Sequence, residues 1–161
     1  MTPGSIRTVQ STWVKLLPVK DLAAQLFYEK LFEADPSLRL LFRSDMRQQG
    51  EKLMQVIDAA VNGLNRLELI TIAIQDLGRR HANYGVKSHH YDTVGAALLW
   101  TLSKTLGAEF TPEARDAWET VYDVLATTMR DAAASSRVSN DPTSKQDATT
   151  LESSDTKASP L

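Results

Sequence analysis

This sequence predicts an all-α domain of about six or seven helices. No segment sustains the period-two alternation of a half-buried strand. Apolar residues instead recur at spacings of three and four, and helix-start signals such as Thr111-Pro112-Glu113 stand just ahead of the periodic stretches.

Ser5 is the expected cap of a first helix carrying Ile6, Val9, Trp13 and Leu16, which Pro18 ends or turns. A second helix follows from about Lys20, with Leu22, Leu26, Phe27, Leu31 and Phe32 as its apolar set. Asp35-Pro36 supplies a cap and a first-turn proline for a short helical segment containing Leu38, Leu41 and Phe42, and the polar stretch Arg43 to Gln48 reads as a connector. Leu53, Ile57, Ala60 and Leu64 then fall on one face of a helix. The next helix, about Leu67 to Ala82, carries the row Ile70, Ile74, Leu77 and His81, with Gly85 just past its end. Two longer helices close the chain. One runs from about His89 to Leu106 with Tyr91, Val94, Leu98 and Leu102, and the other from about Pro112 to Ala134 with Trp118, Tyr122, Leu125 and Met129.

Residues 1–134 are therefore read as one domain. Beyond them Ser, Thr, Asp, Lys and Pro dominate, and Val138, Leu151 and Leu161 are the only large apolar residues, too few to offset the entropy of ordering. A disordered polar tail is expected over 135–161. No internal repeat is present.

Composition narrows the function. Lys plus Arg number 18 against 20 for Asp plus Glu, with neither sign gathered into a long run, so no footprint for nucleic acid or an anionic membrane is expected. The absence of cysteine excludes disulfides, zinc fingers, Cys-ligated iron–sulfur clusters and thiol nucleophiles. Met1 to Thr8 lacks the apolar core of a signal peptide, and no stretch approaches the roughly 18 apolar residues of a membrane span. A cytoplasmic protein is the expectation.

Among the three histidines, His89 and His90 are adjacent at a loop or helix start, whereas His81 lies one turn after Leu77 on an inward row. A histidine on an apolar face is more often a hydrogen-bonded core residue than a metal ligand. Its surroundings change that balance. They are the run Leu26-Phe27-Tyr28 through Leu31-Phe32 to Asp35-Pro36 and Leu41-Phe42, then Leu53-Met54-Gln55-Val56, then Leu77-Gly78-Arg79-Arg80-His81-Ala82-Asn83-Tyr84-Gly85-Val86 with His90-Tyr91 and Val94-Gly95, and finally Ala117-Trp118 with Tyr122. In this order and spacing, over about Val9 to Arg130, the chain resembles the globin family. It is similar to single-domain bacterial globins, to the globin part of flavohaemoglobins and, more distantly, to neuroglobins.

The resemblance implies a globin fold around one haem b. It makes His81 the proximal iron ligand and Phe42 a ring packed on the haem. Leu53 walls the pocket above the iron, while Leu77, Val86, Tyr91 and Val94 line the haem. Lys52 and Arg80 are candidates to pair with its propionates, although exposed basic residues on helices are often merely solvated. On the distal side the family pattern places Tyr28 and Gln49. Gln48 is the competing choice for the second position, and the four-residue step to Leu53 favours Gln49. A hydroxyl and an amide donating to bound oxygen in a low-dielectric pocket imply slow oxygen release.

Reversible binding of oxygen, nitric oxide or carbon monoxide is the expected function. Nitric oxide dioxygenation with a separate reductase is the alternative, and a gas sensor using the polar tail for docking is a third reading. Tyr91 matches a tyrosine that supports the proximal histidine in flavohaemoglobins, but the position of their partner glutamate, near Ala133, carries no carboxylate. This departure favours storage over peroxidase-like chemistry. A monomer or weak homodimer is expected.

Overall fold

The computed structural model describes residues 1–139. Among them are six α-helices: α1 (Pro3–Leu16), α2 (Lys20–Ala34), α3 (Met46–Gly63), α4 (Leu67–Asn83), α5 (His90–Leu106) and α6 (Pro112–Ser139). Short 3-10 segments at Leu17–Val19, Pro36–Leu41, Leu64–Arg66 and Gly107–Glu109 join them, and no strand occurs among the described residues. The all-α expectation holds, and none of these helices is long and apolar enough to cross a membrane.

Three boundaries differ from the sequence reading. The first helix is capped by Thr2, not Ser5. Thr2 Oγ1 accepts from Ser5 N at 3.1 Å while Ser5 Oγ accepts from Thr2 N at 2.8 Å, a reciprocal box in which Ser5 is the third helical residue. The connector is shorter than Arg43 to Gln48, because the Asp45 carboxylate accepts from Arg47 N at 2.7 Å and starts α3 at Met46. The last helix runs five residues past Ala134, to Ser139. Ala132 and Ala133 are buried, no glycine or proline interrupts the next residues, and the Ser135 and Ser136 hydroxyls bond back to the carbonyls of Asp131 and Ala132. Polar residues on an exposed helical face had read as tail. The rest of the predicted tail, 140–161, lies outside the described residues.

Val9, Trp13, Leu16, Leu31, Leu102 and Trp118 form the centre of the core, each at most 2% exposed. The two tryptophan rings stand 6.2 Å apart and both indole N–H groups are satisfied, Trp13 by Asp58 and Trp118 by Thr12. Helices α4 and α6 cross in close contact at Gly78, where an added Cβ would lie closer than 3.0 Å to the Met129 backbone. A comparable approach brings the Tyr122 ring of α6 onto Gly95 of α5. The first crossing sets the α4–α6 distance by backbone, the second seats the Tyr122 ring against α5, and both α4 and α5 wall the cavity described next.

Candidate functional site

A cavity of about 370 Å³ lies among α2, α3, α4, α5 and α6. Its wall is almost wholly apolar, which suits a large flat hydrophobic group with few polar handles. Phe42, Leu53, Leu77, Arg80, His81, Val86, Tyr91, Val94 and Tyr28 all contribute to it. Lys52 and Gln49 do not. Lys52 is exposed outside the wall, whereas Gln49 is fully buried and its neighbour Gln48 is exposed.

Local backbone geometry fixes His81. Val86 N donates to His81 O at 2.9 Å and Gly85 N to Ala82 O at 3.1 Å, the paired bonds of a Schellman turn. That turn needs a left-handed residue, which Gly85 provides at φ +96°. The turn ties Val86 to the His81 backbone, and both residues face the cavity. The Tyr91 ring meets the His81 ring at 6.1 Å in an edge-on arrangement. Tyr91 is held in turn by α6: Tyr122 Oη donates to its carbonyl, and the Arg130 guanidinium lies 5.3 Å over its ring. Arg130 also pairs with Asp92 and donates from Nε to Ser88 O. Burial raises the Tyr91 pKa, and the Arg130 charge partly opposes that.

Tyr28 projects from α2 into an aromatic cluster with Phe27, Phe32 and Phe42 at centroid distances of 5.1, 5.8 and 5.3 Å. Burial pushes its hydroxyl pKa well above the ordinary tyrosine value, and the nearby Gln49 amide pulls it partly back. Close as they are, Tyr28 Oη and Gln49 Nε2 share no hydrogen bond, and neither has a partner among the described residues. Gln49 Oε1 accepts from Ser44 Oγ at 3.0 Å. Buried donors with nothing to donate to are uncommon and mark a place where an acceptor is expected.

Sequence reasoning missed several wall residues. Ile57, Ile74 and Leu98 were visible as members of apolar rows, and Val56 within the run Leu53 to Val56, but none as a cavity residue. His90 stood in the run shared with globins but was not marked as a wall residue, yet it is only 6% exposed and lines the wall. Its Nδ1 accepts from Lys87 N at 2.9 Å, so the neutral ring carries its proton on Nε2, 3.9 Å from Asp35 Oδ2. Donor atoms of Asp35, His89 and His90 lie within 4.8 Å of one another. A ligating histidine, however, presents a lone pair and donates through its other nitrogen, the reverse of this arrangement.

The His90 environment sets a pH dependence. Burial lowers its pKa, the neighbouring His89 and Lys87 add to this, and Asp35 opposes them. The folded protein therefore binds fewer protons than the unfolded chain between the lowered value and the ordinary 6.5. Stability is expected to be complete above that pH and to decline as pH falls through it. Asp35, held low chiefly by the Ser37 hydroxyl, titrates below this window. Urea unfolding at pH 7.5 and 5.5 should show the decline in the native protein and a smaller one in His90→Gln. Equal slopes in both would remove His90 as its source.

Comparison with known proteins agrees with this architecture. The sequence model of the family described as Globin matches residues 25–129. Neuroglobin of Danio rerio is 30% identical over 135 residues, spanning 75% of this chain and 85% of that protein, and neuroglobin of Tetraodon nigroviridis is 31% identical with the same coverage. In three dimensions the chain is similar to an engineered carbene transferase of the RmaNOD protein from Rhodothermus marinus, with a TM-score of 0.78 and 24% identity over 86% of this chain and 97% of that one. It is likewise similar to a bacterial globin from Campylobacter jejuni, with a TM-score of 0.75 and 24% identity over 85% of this chain and 99% of that one. The structural likenesses carry the fold, and the family match carries the membership. The chain belongs to the globin family, whose members hold haem and bind diatomic gases on it.

Proposed function

We propose that this globin is a reversible oxygen-binding protein that holds haem b through His81 and donates hydrogen bonds to the gas from Tyr28 and Gln49. The observation that carries this reading is the pair of buried, unpartnered donors, Tyr28 Oη and Gln49 Nε2, beside an apolar cavity that His81 also lines. When bound, haem supplies an iron that takes a diatomic ligand.

The protein's own groups do the rest. His81 is presented by a helix end whose turn is locked at Gly85, and the edge of Tyr91 restrains its ring. Phe42, Leu53, Val56 and Leu98 exclude water, so a hydrogen bond made inside is stronger than one made in solvent. Because its pKa is raised, Tyr28 keeps its proton and remains a donor throughout the neutral range. Arg80 is exposed and also reaches the cavity wall, which suits a propionate at the solvent edge; Lys52, outside the wall, is the weaker of the two candidates.

Storage is favoured over peroxidase-like chemistry by what stands behind Tyr91. A cation, Arg130, lies over its ring, and the position near Ala133, where the resemblance to flavohaemoglobins puts a glutamate, carries no carboxylate. The same distal donors also suit nitric oxide dioxygenation, with a separate reductase supplying electrons. Rapid nitrate formation from nitric oxide in the presence of such a reductase would move the assignment there.

Tyr28→Phe is expected to leave haem content unchanged and to speed oxygen release by roughly tenfold, the equivalent of one hydrogen bond of about 1.4 kcal/mol. Stopped-flow replacement of oxygen by carbon monoxide measures the rate. An unchanged rate would remove the tyrosine from ligand binding.

A further inference from the structure

We propose that Ser44 is the positioning residue that makes Gln49 a hydrogen-bond donor toward the gas ligand. The inference rests on the oxygen-binding reading above and extends it to a residue outside the cavity wall.

The two ends of a glutamine amide have nearly the same shape and opposite hydrogen-bonding character, so the surrounding network decides which end faces a site. Gln49 is fully buried, and Ser44 Oγ donates to its Oε1 at 3.0 Å. With the oxygen engaged, Nε2 is left with its protons and no acceptor, close to the equally unpartnered Tyr28 Oη. The site thus presents two donors and lacks an acceptor between them, which matches a diatomic ligand carrying partial negative charge. Turned over, the amide would offer its oxygen to Tyr28. That would occupy the tyrosine proton and place lone pairs against the ligand.

Ser44 is well placed to oppose this: its hydroxyl donates to Oε1 as it stands, and a turned amide would need that hydroxyl to rotate and accept from Nε2 instead. It immediately precedes Asp45, the cap of α3, whose carboxylate accepts from Arg47 N and Gln48 N and whose carbonyl accepts from Gln49 N at 2.9 Å. The serine and the glutamine are thereby fixed at the two ends of one capped turn. Their contact is a property of the helix start, and no residue of the wall is needed to make it.

Carbon monoxide is the probe, read by the infrared C–O stretch of the reduced protein, a frequency that falls as donors approach the ligand and rises when lone pairs do. The native protein is expected to show one dominant band. Ser44→Ala should shift it upward or split it as the amide samples both orientations, and should speed oxygen release several-fold with haem content unchanged. Ser44→Thr, which keeps a hydroxyl, should restore the native band. In Gln49→Leu, the further change Ser44→Ala should do nothing.

A native band in Ser44→Ala would overturn the proposal. So would an equal shift in the Gln49→Leu background, which would show that Ser44 acts by another route. Failure of the native protein to form a carbon monoxide complex would overturn the oxygen-binding reading itself, and the role of Ser44 with it.

Discussion

His81→Ala is expected to abolish stable haem retention while leaving the helical fold in place. The imidazole is the group on α4 that the apolar row Ile70, Ile74 and Leu77 carries to the cavity. The loss should exceed the roughly 10–100-fold that removing a mere outer partner of a metal ligand produces. The turn that closes α4 is made of backbone bonds and Gly85, so circular dichroism should be unchanged. Hemin titration and the rate of haem transfer to an excess of apoglobin scavenger measure the effect. Native retention in the mutant would show that another group holds the iron, and His90, buried in the same wall, would be the first to examine.

Gly78→Ala should be strongly destabilising despite the higher helix propensity of alanine. The new Cβ would meet the carbonyl oxygen, Cα and carbonyl carbon of Met129, all backbone atoms, closer than 3.0 Å. No flexible side chain is available to yield, so α4 and α6 must separate. Overpacking of this kind costs about 1–3 kcal/mol, against a propensity gain of at most about 1 kcal/mol. The net cost of about 1–2 kcal/mol lowers Tm by roughly 2–8 °C in a domain of this size. Haem affinity should fall too, since His81 lies one turn away on the same helix. Gly4→Ala is the control, because its nearest neighbour is Thr2 Oγ1 at 3.6 Å and the substitution should be neutral or slightly stabilising. Equal melting temperatures for the two variants would refute the close crossing.

Much of the fold was legible because its signals are local. Apolar rows such as Leu53 and Ile57 mark which helix face turns inward, and Asp35-Pro36 and Thr111-Pro112 mark starts by side-chain chemistry alone. Errors arose where two residues compete for one role, as Thr2 and Ser5 do in a reciprocal cap. They also arose where composition stood in for structure. The polar residues after Asp45 open α3, whose first buried positions are Gln49 and Gly50, and those after Ala134 extend α6 past the small buried residues Ala132 and Ala133.

The site divides in the same way. His81 announces itself by ending an inward row, and Tyr28 and Gln49 come from the resemblance to other globins. His90, Arg130 and Ser44 were not legible, because each takes its meaning from a partner that spacing does not reveal. Asp35 faces His90 across 55 residues of chain, Arg130 reaches Tyr91 from another helix, and the Ser44 bond depends on which end of an amide turns inward.

The central claim is a His81-ligated haem with room for a gas, and the visible absorption spectrum of the reduced protein with and without carbon monoxide tests it most directly. The expected result is a Soret band that shifts on adding carbon monoxide and is lost or altered in His81→Ala. A protein that shows no Soret band even after hemin is added would contradict it.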